Sequence, residues 1–339
     1  VAAIVPWNFP FPMACWKVAP ALATGNAVIL KPASLTPLTA LALGRLAMEA
    51  GVPPGILQVV PGRGAEVGDA LVGHPLVRKV AFTGETATGA HLMQIAAPDI
   101  KRVSLELGGK SPYLVFADAD VEAAARSGPM SVFANTGQDC CARSRVLVEA
   151  SVYDRFLEAY VEAARAIVVG DPLDDRTQIG PMVSAAQRER VEEYIASARS
   201  EGGRVLCGGD RPQEPGYYLS PTVIDGLPSS ARACREEIFG PVACVMPFHS
   251  EAEAVALAND TPYGLSGSIW TRDITRALRM ARAVESGVLS VNTNSSVHIE
   301  APFGGVKRSG FGRDLGLEAM RLYTEVKNVF VSVPRGNPT

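Results

Sequence analysis

The stretch KVAFTGETATG, residues 79–89, decides the fold. It starts with an apolar run typical of a buried strand, and Gly84 then opens a helical run that continues to Ala97. A glycine turn between a strand and a helix leaves backbone N–H groups free to bind a phosphate at the helix N-terminus. The spacing is GxxxxG rather than GxGxxG, and the lysine of a P-loop is absent. The motif alone is therefore a weak signal for a dinucleotide.

Strands and helices alternate on both sides of this stretch. We predict strands over 1–5, 26–30, 56–60, 79–82 and 102–107, and helices over 34–50, 65–72 and 84–97. The strands are almost continuously apolar, as expected for a sheet that helices cover on both faces. Right-handed crossovers between such strands produce a parallel sheet. The first third is thus predicted to be a Rossmann-like half of an α/β protein.

The rest of the chain also alternates between strands and helices, with a different sequence. We predict helices over 121–127, 152–168, 185–199, 251–258 and 274–285, and strands over 146–148, 242–248, 266–270 and 288–291. Residues 323–333 alternate like a strand that pairs outside its own domain. We expect three parts: a dinucleotide-binding domain over 1–108, a second α/β domain over 109–308, and a return segment with an oligomerisation strand over 309–339. The opening VAAIV enters a strand without a methionine or a preceding turn, so we expect the first domain to lack its N-terminal part.

Composition excludes several classes of protein. The chain has 339 residues, 47% hydrophobic and 20% charged, with a net charge of −3 and no cluster of basic residues. This balance gives no electrostatic case for binding nucleic acid or a membrane surface. The six cysteines form no CxxC pair and the four histidines have no metal-ligand spacing. We therefore expect free thiols, a cytoplasmic protein and no metal.

Three further motifs carry candidate chemistry. In NTGQDCC, residues 135–141, a polar turn presents two thiols, and a thiolate is a strong nucleophile toward a carbonyl carbon, although buried inert cysteines are common. Glu106 is a lone carboxylate in an apolar strand that ends at two glycines. Burial there would raise its pKa toward that of a general base, and an ion pair at a strand end is the alternative. Asn8, in PWNFP at 6–10, is either an oxyanion donor or a turn residue.

Seven motifs in a fixed order make the chain similar to the aldehyde dehydrogenase superfamily. They are PWNFP (6–10), KPA (31–33), FTG (82–84), LELGGK (105–110), GQDC (137–140), EEIFGP (236–241) and PFGG (302–305). The resemblance runs from the first residue to near the last. It implies oxidation of an aldehyde to a carboxylic acid with a nicotinamide cofactor, through a thioester on cysteine that water hydrolyses.

The resemblance also implies a role for each matching residue. The catalytic set is the nucleophile Cys140, the general base Glu106, the oxyanion donor Asn8, and Lys17 and Asp314 on a proton path behind Glu106. The cofactor set is Trp7, Lys31, Ser34, Phe82, Thr83, Gly84, Glu85, Gly89, Leu107, Gly108, Glu237 and Phe239. Lys31 is expected at the cofactor ribose, and Glu237 and Phe239 at the nicotinamide ribose and ring. Cys141 is expected to be structural.

Three positions depart from the family pattern. Ser34 occupies the ribose-discriminating position, where NAD-preferring members often carry glutamate. Without that acid, and with Lys31 nearby, a 2′-phosphate has room, so we expect NAD or NADP to bind, with NADP accepted and the change at Ser34 favouring it. Glu85 stands where the family commonly has serine, and a carboxylate near a pyrophosphate is electrostatically unfavourable. Asp314 replaces the usual glutamate.

The substrate and the assembly stay open at this point. The expected substrate loop, residues 292–301, is polar and carries His298 and Glu300, with no arginine cluster for a dicarboxylic semialdehyde. Glu300 would suit a cationic aminoaldehyde or lie at a solvated rim. The alternative functions are an acylating enzyme, which needs no general base; a thiol hydrolase, which needs a histidine partner; and a silent binding protein. The resemblance implies a homodimer or a homotetramer, between which the sequence does not choose.

Overall fold

Two sheets organise the chain, and the computed structural model describes residues 1–212, 215–295 and 297–333. The strands are β1 (Ala2–Ile4), β2 (Val28–Lys31), β3 (Leu57–Val59), β4 (Lys79–Thr83), β5 (Arg102–Glu106), β6 (Pro112–Val115), β7 (Arg145–Glu149), β8 (Arg204–Cys207), β9 (Thr222–Asp225), β10 (Val242–Phe248), β11 (Ser266–Trp270), β12 (Val288–Val291) and β13 (Gly310–Phe311). The helices are α1 (Pro10–Ala23), α2 (Leu38–Glu49), α3 (Asp69–Gly73), α4 (Thr86–Ala96), α5 (Val121–Ser127), α6 (Met130–Phe133), α7 (Tyr153–Arg165), α8 (Ala185–Ser200), α9 (Arg232–Arg235), α10 (Glu251–Asn259), α11 (Ile274–Ala283) and α12 (Gly316–Arg321).

The first sheet has the order β13-β5-β4-β1-β2-β3, and all its strands are parallel except β13. The second has the order β12-β11-β6-β7-β10-β9-β8, and it is parallel except for β8 against β9. In each sheet the core strands are fully buried, because helices pack on both faces. The predicted fold class, a Rossmann-like parallel sheet followed by a second α/β unit, is confirmed.

The chain crosses between the sheets at residues 107–111 and returns at β13, which pairs with β5. Gly310 lies opposite Glu106 with a φ of 111°, and a Cβ there would collide with the carbonyl of Leu105. Only glycine allows so close a return. The returning strand therefore covers the sheet edge that carries Glu106.

Several elements differ from the sequence-based expectation. Helix α1 was not predicted from the sequence, because prolines occur at both of its ends. Pro10 is compatible with the helix because it lies in the first turn, where a backbone N–H has no hydrogen-bond partner within the helix. Strands β6, β8 and β9 were missed as well. Residues 323–333 form no strand within the described chain, and Phe330 is 92% exposed. The predicted strand pairs outside its own domain, so a single chain does not test it, and it stays a prediction.

Candidate active site

The candidate site lies where the parallel strands of the first sheet end. Trp7 follows β1, Lys31 closes β2, Thr83 closes β4 and Glu106 closes β5. In parallel sheets these ends share one edge, which is where α/β proteins bind ligands. The turn before β7 carries Cys140 to the same place, so one cleft combines the ends of the first sheet with residues of the second unit.

The turn that holds Cys140 is conformationally strained. Asn135, Thr136 and Gly137 all have a left-handed backbone, with φ of 51°, 58° and 68°. For the two residues with a Cβ this costs about 1–2 kcal/mol each. Side-chain hydrogen bonds hold the turn, from Thr136 Oγ1 to Gly180 O at 2.9 Å and from the Val183 N–H to Gln138 Oε1 at 2.9 Å. Strain maintained in this way is typical of a functional turn.

Gly137 fixes the turn against a second functional segment. A Cβ at this position would overlap the backbone of Gly240 and Pro241. Phe239, next to Gly240, also has a left-handed backbone, with a φ of 58°, and its ring meets the edge of Trp7 at 5.3 Å. The close backbone contact therefore couples the position of Cys140 to the position of Phe239.

Asn8 contacts the nucleophile turn directly. The side-chain Nδ2 of Asn8 donates to the backbone carbonyl of Gln138 at 3.0 Å. The backbone carbonyl of Asn8 accepts from Asn135 Nδ2, also at 3.0 Å. A side-chain amide locked in this way is preorganised to donate to an oxyanion beside Cys140.

Cys140 is partly buried and lines the cleft, whereas Cys141 is 4% exposed. Contact with the Cys141 thiol, burial and the neighbouring Asp139 carboxylate raise the pKa of Cys140 well above its ordinary value. The groups that act on the Cys140 thiol in the ligand-free protein thus favour its neutral form. The thiol must therefore pass its proton to a base before it attacks a carbonyl.

Glu106 has the environment of such a base. Its side chain is 6% exposed and its Oε2 atom has no hydrogen-bond partner. Burial, and then the Asp314 carboxylate, raise the pKa of Glu106 well above its ordinary range, against the lowering effect of Lys17 and Arg313. A Cβ on Gly304 would overlap its other oxygen, so glycine at 304 leaves the carboxyl room.

Lys17 and Asp314 form a buried ion pair beside Glu106. Lys17 Nζ lies 2.8 Å from Asp314 Oδ2, and the two side chains are 1% and 3% exposed. The structure thus brings together the two residues that the resemblance placed behind Glu106, and the shorter aspartate still reaches the lysine.

One cleft contains most of the predicted site residues in its walls. Its walls include Trp7, Asn8, Thr83, Gly84, Glu85, Leu107, Gly108, Cys140, Glu237 and Phe239. Its walls do not include Glu106, Lys17, Lys31, Ser34, Phe82, Gly89 or Asp314. Gln187 and Arg190 on α8 also line it and were missed, because a helix surface of mixed charge carries no motif.

The charged walls of the cleft meet across its two halves. Glu85 comes directly before α4 and lies 3.9 Å from Arg190 on α8. The Arg190 guanidinium group thus lies opposite Glu85, and its positive charge reduces the repulsion expected between the Glu85 carboxylate and a pyrophosphate. Glu237 Oε1 accepts from the N–H of Gly109 at 2.9 Å, and burial raises the pKa of Glu237 to about 7. A side chain at Gly108 would collide with that carboxyl group.

The far end of the same sheet edge carries Lys31 and Ser34. Lys31 Nζ donates to the carbonyl of Pro32 at 2.9 Å, and burial lowers the pKa of Lys31. Ser34 Oγ donates to the carbonyl of Gly62 at 3.0 Å. Phe82 and Gly89 act through packing: Phe82 lies under Gly84, and Gly89 lies so close to Leu107 that a side chain would not fit without displacing it.

The expected substrate loop is largely exposed. His298 Nε2 lies 3.4 Å from Ser295 Oγ, and Glu300 is open to solvent, while residue 296 lies outside the described residues. These contacts do not define a substrate.

Two other observations concern ligands and membranes. Among the described residues, Asp139, Cys140 and Cys141 are one set of donors close enough to hold a metal, with ligand atoms within 4.8 Å of one another. They are consecutive residues of the nucleophile turn, and the absence of a metal stays a prediction. No helix in the described ranges is both long and apolar enough to cross a bilayer.

Comparisons with known proteins agree with this geometry. The family model described as "Aldehyde dehydrogenase family" matches residues 1–329. The chain is 46% identical over 331 residues to betaine aldehyde dehydrogenase 1 of Oryza sativa subsp. japonica, covering 97% of this chain and 66% of that protein. It is 46% identical over 337 residues to human retinaldehyde dehydrogenase 3, covering 99% of this chain and 66% of that protein. The chain thus spans about two thirds of the length of these relatives.

Solved structures give the same result. A mutant of the indole-3-acetaldehyde dehydrogenase of P. syringae, in complex with NAD+ and IAA, superposes with a TM-score of 0.96 at 47% identity, covering 98% of this chain and 68% of that one. A structure described as an E. coli NADP dependent enzyme superposes with a TM-score of 0.95 at 45% identity, covering 96% and 68%. The fold and the cleft define an α/β protein with a cysteine in a cleft at the carboxyl ends of parallel strands. The chain belongs to the aldehyde dehydrogenase family.

Proposed function

We propose that the protein oxidises an aldehyde to a carboxylic acid with a nicotinamide cofactor, through a covalent intermediate on Cys140. The observation that carries this proposal is the convergence at one sheet edge of a thiol, a fixed amide donor and an unpaired buried carboxyl group. Each supplies one function that acyl chemistry needs: a nucleophile, an oxyanion donor and a base.

The chain's own residues account for the covalent steps. Cys140 Sγ adds to the aldehyde carbon after its proton passes to a base, and the Asn8 amide and the Cys140 N–H hold the oxyanion. A nicotinamide held in the cleft would supply the hydride acceptor for this adduct, and Cys140 would then carry the acyl group as a thioester. Water then attacks the acyl carbon, Glu106 takes the water proton, and the carbon–sulfur bond breaks with its electron pair on Sγ. Two moderate barriers replace one high barrier.

The described residues fit a dinucleotide. The cleft joins the N-terminus of α4 to Glu237 and Phe239, and Gly108 leaves the Glu237 carboxyl group close to the backbone. A helix N-terminus favours a phosphate, and a carboxylate can accept from ribose hydroxyls. We assign Lys31 and Ser34 to the adenosine ribose end, and Thr83, Gly84, Glu85 and Gly89 to the phosphate turn. Trp7 and Leu107 are assigned to the walls, and Phe82 supports the turn by packing under Gly84. Glu85 is the one unfavourable charge, and Arg190 offsets it.

Both NAD and NADP are proposed to bind. The Ser34 hydroxyl is small and uncharged and donates to a backbone carbonyl, so it does not repel a 2′-phosphate. One relative is known in complex with NAD+ and another is described as NADP dependent. Ser34→Glu would place a carboxylate there, and we expect it to weaken NADP binding at least tenfold while leaving NAD binding within about threefold. Equal losses for both cofactors would contradict this role.

The three-part division at residues 108 and 308, and a homodimer or homotetramer joined through residues 323–333, stay proposals. The exposed apolar side chains of that segment, Val326, Val329, Phe330, Val331 and Val333, support pairing with a second copy. The cytoplasmic location stays a prediction, and all six cysteines are free thiols in this structure.

The test is turnover of the full-length protein with aliphatic, aromatic and amino aldehydes, with NAD and with NADP. Appearance of reduced nicotinamide that disappears in Cys140→Ala supports the proposal. A folded protein that binds cofactor but oxidises none of these aldehydes would contradict it. Cys207→Ala, which removes a thiol outside the cleft, serves as the matched control.

A further inference from the structure

The carboxylate of Asp139 lies directly beside the nucleophile. Asp139 precedes Cys140 in the chain, and one of its carboxylate oxygens, the Cys140 Sγ and the Cys141 Sγ all lie within 4.8 Å of one another. Glu106 is not a member of this group, and it does not line the cleft that Cys140 lines. In the ligand-free protein, the acidic side chain next to the reactive sulfur is therefore Asp139.

Backbone hydrogen bonds hold this carboxylate in place. Asp139 Oδ1 accepts from the Cys141 N–H at 2.8 Å, and the backbone carbonyl of Asp139 accepts from the Ala142 N–H at 3.0 Å. The first of these bonds is an Asx turn, which folds the side chain back over the residues that follow it. Arg143, which is 3% exposed, supports the turn by donating from Nη1 to the carbonyl of Cys141 at 3.0 Å. Because these bonds use Oδ1, they leave Oδ2 available to the thiol.

The surroundings make Asp139 a stronger base than an ordinary aspartate. Burial raises its pKa, against the lowering effects of the Cys141 N–H, Arg143 and a hydrogen bond from the Cys140 thiol. The thiol, whose pKa is raised as well, holds its proton until a base removes it. Glu237, in the wall of the same cleft, adds a second negative charge that acts on the thiol. A carboxylate beside a protonated nucleophile, within reach directly or through one water, is the arrangement that proton transfer needs.

We propose that Asp139 is the base that takes the proton of the Cys140 thiol, and that it returns this proton to the sulfur at the end of the cycle. This assignment rests on the proposed function. In the balanced step, the Asp139 carboxylate and the thiol give a carboxylic acid and a thiolate, whose electron pair forms the bond to the aldehyde carbon. When hydrolysis breaks that bond, the electron pair goes back to Sγ and Asp139 gives back its proton. The proton of the hydrolytic water goes separately to Glu106.

Asp139→Asn tests this role without removing the turn. The amide oxygen of asparagine can still accept from the Cys141 N–H, but the side chain cannot take up a proton. In the full-length protein, rapid mixing with an aldehyde and excess cofactor gives a burst of reduced nicotinamide, whose rate reports attack and hydride transfer. We expect this burst to be at least about tenfold slower at pH 7. It should recover toward the original rate above about pH 9, where the thiol ionises without a base.

The sign of the effect separates a base from a charge that acts only by repulsion. The Asp139 carboxylate disfavours the Cys140 thiolate, because the two negative charges are close to each other. If repulsion were its whole effect, Asp139→Asn would stabilise the thiolate, and the burst would become faster with its pH profile moved to lower pH. A faster burst, or a burst with the original rate and pH profile, would overturn the assignment of Asp139 as the base.

Asp171→Asn is the matched control. Asp171 Oδ1 accepts from the Leu173 N–H at 2.9 Å, which is the same type of turn, and Asp171 does not line the cleft. This variant should keep the original burst rate at every pH. An equal loss in Asp171→Asn and Asp139→Asn would mean that the turn, and not proton transfer, sets the rate, and the assignment would be wrong. If the unmodified protein gives no burst with any aldehyde, the proposed function itself is wrong, and the assignment fails with it.

Discussion

The side-chain amide of Asn8 donates to the carbonyl of Gln138 at 3.0 Å, two residues before Cys140. This hydrogen bond connects the end of β1 in the first sheet to the nucleophile turn of the second unit. The position of the Cys140 turn is therefore coupled to that of the proposed oxyanion donor.

Asn8→Ala removes the proposed oxyanion donor. We expect kcat to fall by about 10²–10³, as for other oxyanion donors, while the free energy of unfolding falls by only about 1 kcal/mol. Steady-state kinetics and urea titration measure the two effects. Asn259→Ala is the control, because it removes a similar amide-to-carbonyl bond, at 2.8 Å to Ala283, far from the cleft. Equal kinetic losses in the two variants would mean that Asn8 acts only through stability.

Gly137→Ala tests the packing of the nucleophile turn. A Cβ there meets both a left-handed φ of 68° and the backbone of Gly240, so we expect a loss of about 3 kcal/mol in the free energy of unfolding. Gly202→Ala is the control, since Gly202 has a φ of 93° with no atom within 4 Å of its Cβ position. It should cost about 1 kcal/mol. If the two substitutions cost the same, the contact with Gly240 does not constrain the turn.

The free energy of unfolding should depend on pH through the adjacent residues Glu236 and Glu237, whose contributions have opposite signs. Burial raises the pKa of Glu237 to about 7 from 4.5, so the folded protein binds the proton more tightly and stability falls as pH rises from about 4.5 to 7. The Tyr194 hydroxyl and Arg232 lower the pKa of Glu236, so its contribution is present above 4.5 and is lost as pH falls through its folded value.

Urea unfolding of Glu237→Gln and Glu236→Gln across pH 3–8 measures these contributions. Relative to the unmodified protein, Glu237→Gln should lose less stability on going from pH 5 to 7.5. Glu236→Gln should gain less on going from pH 3 to 6. Parallel profiles for all three proteins would contradict the burial of the Glu237 carboxyl group.

Cys140 should react slowly with alkylating agents in the absence of ligands. Because its pKa is raised, the rate of modification by iodoacetamide should still be increasing at pH 9, without a plateau near pH 7. Peptide mass spectrometry assigns the modified residue, and Cys140→Ala gives the background from the other thiols. A plateau of the Cys140 rate below pH 8 would show that the site does stabilise the thiolate.

Local sequence patterns were enough to predict much of the candidate site, and the features that they did not predict depend on tertiary contacts. The strand–glycine–helix pattern at residues 79–89 was enough to predict a parallel sheet, because periodicity and turn chemistry are local properties. Cys140, Glu106 and Asn8 were found through motifs. Arg190 was missed because its role depends on α8 lying across the cleft from Glu85, which is a tertiary relation. The raised pKa of Cys140 could not be predicted for the same reason: neither burial nor the contact with Cys141 can be inferred from spacing.

The central claim is that an acyl group is carried on Cys140 and released by Glu106. The most direct measurement uses Glu106→Gln in the full-length protein, mixed with an aldehyde and an excess of nicotinamide cofactor, and analysed by peptide mass spectrometry. The account predicts one equivalent of reduced nicotinamide per site, little further turnover, and an acyl adduct on the peptide that contains Cys140. Continued turnover at the original rate, or reduced cofactor without any adduct on Cys140, would contradict it.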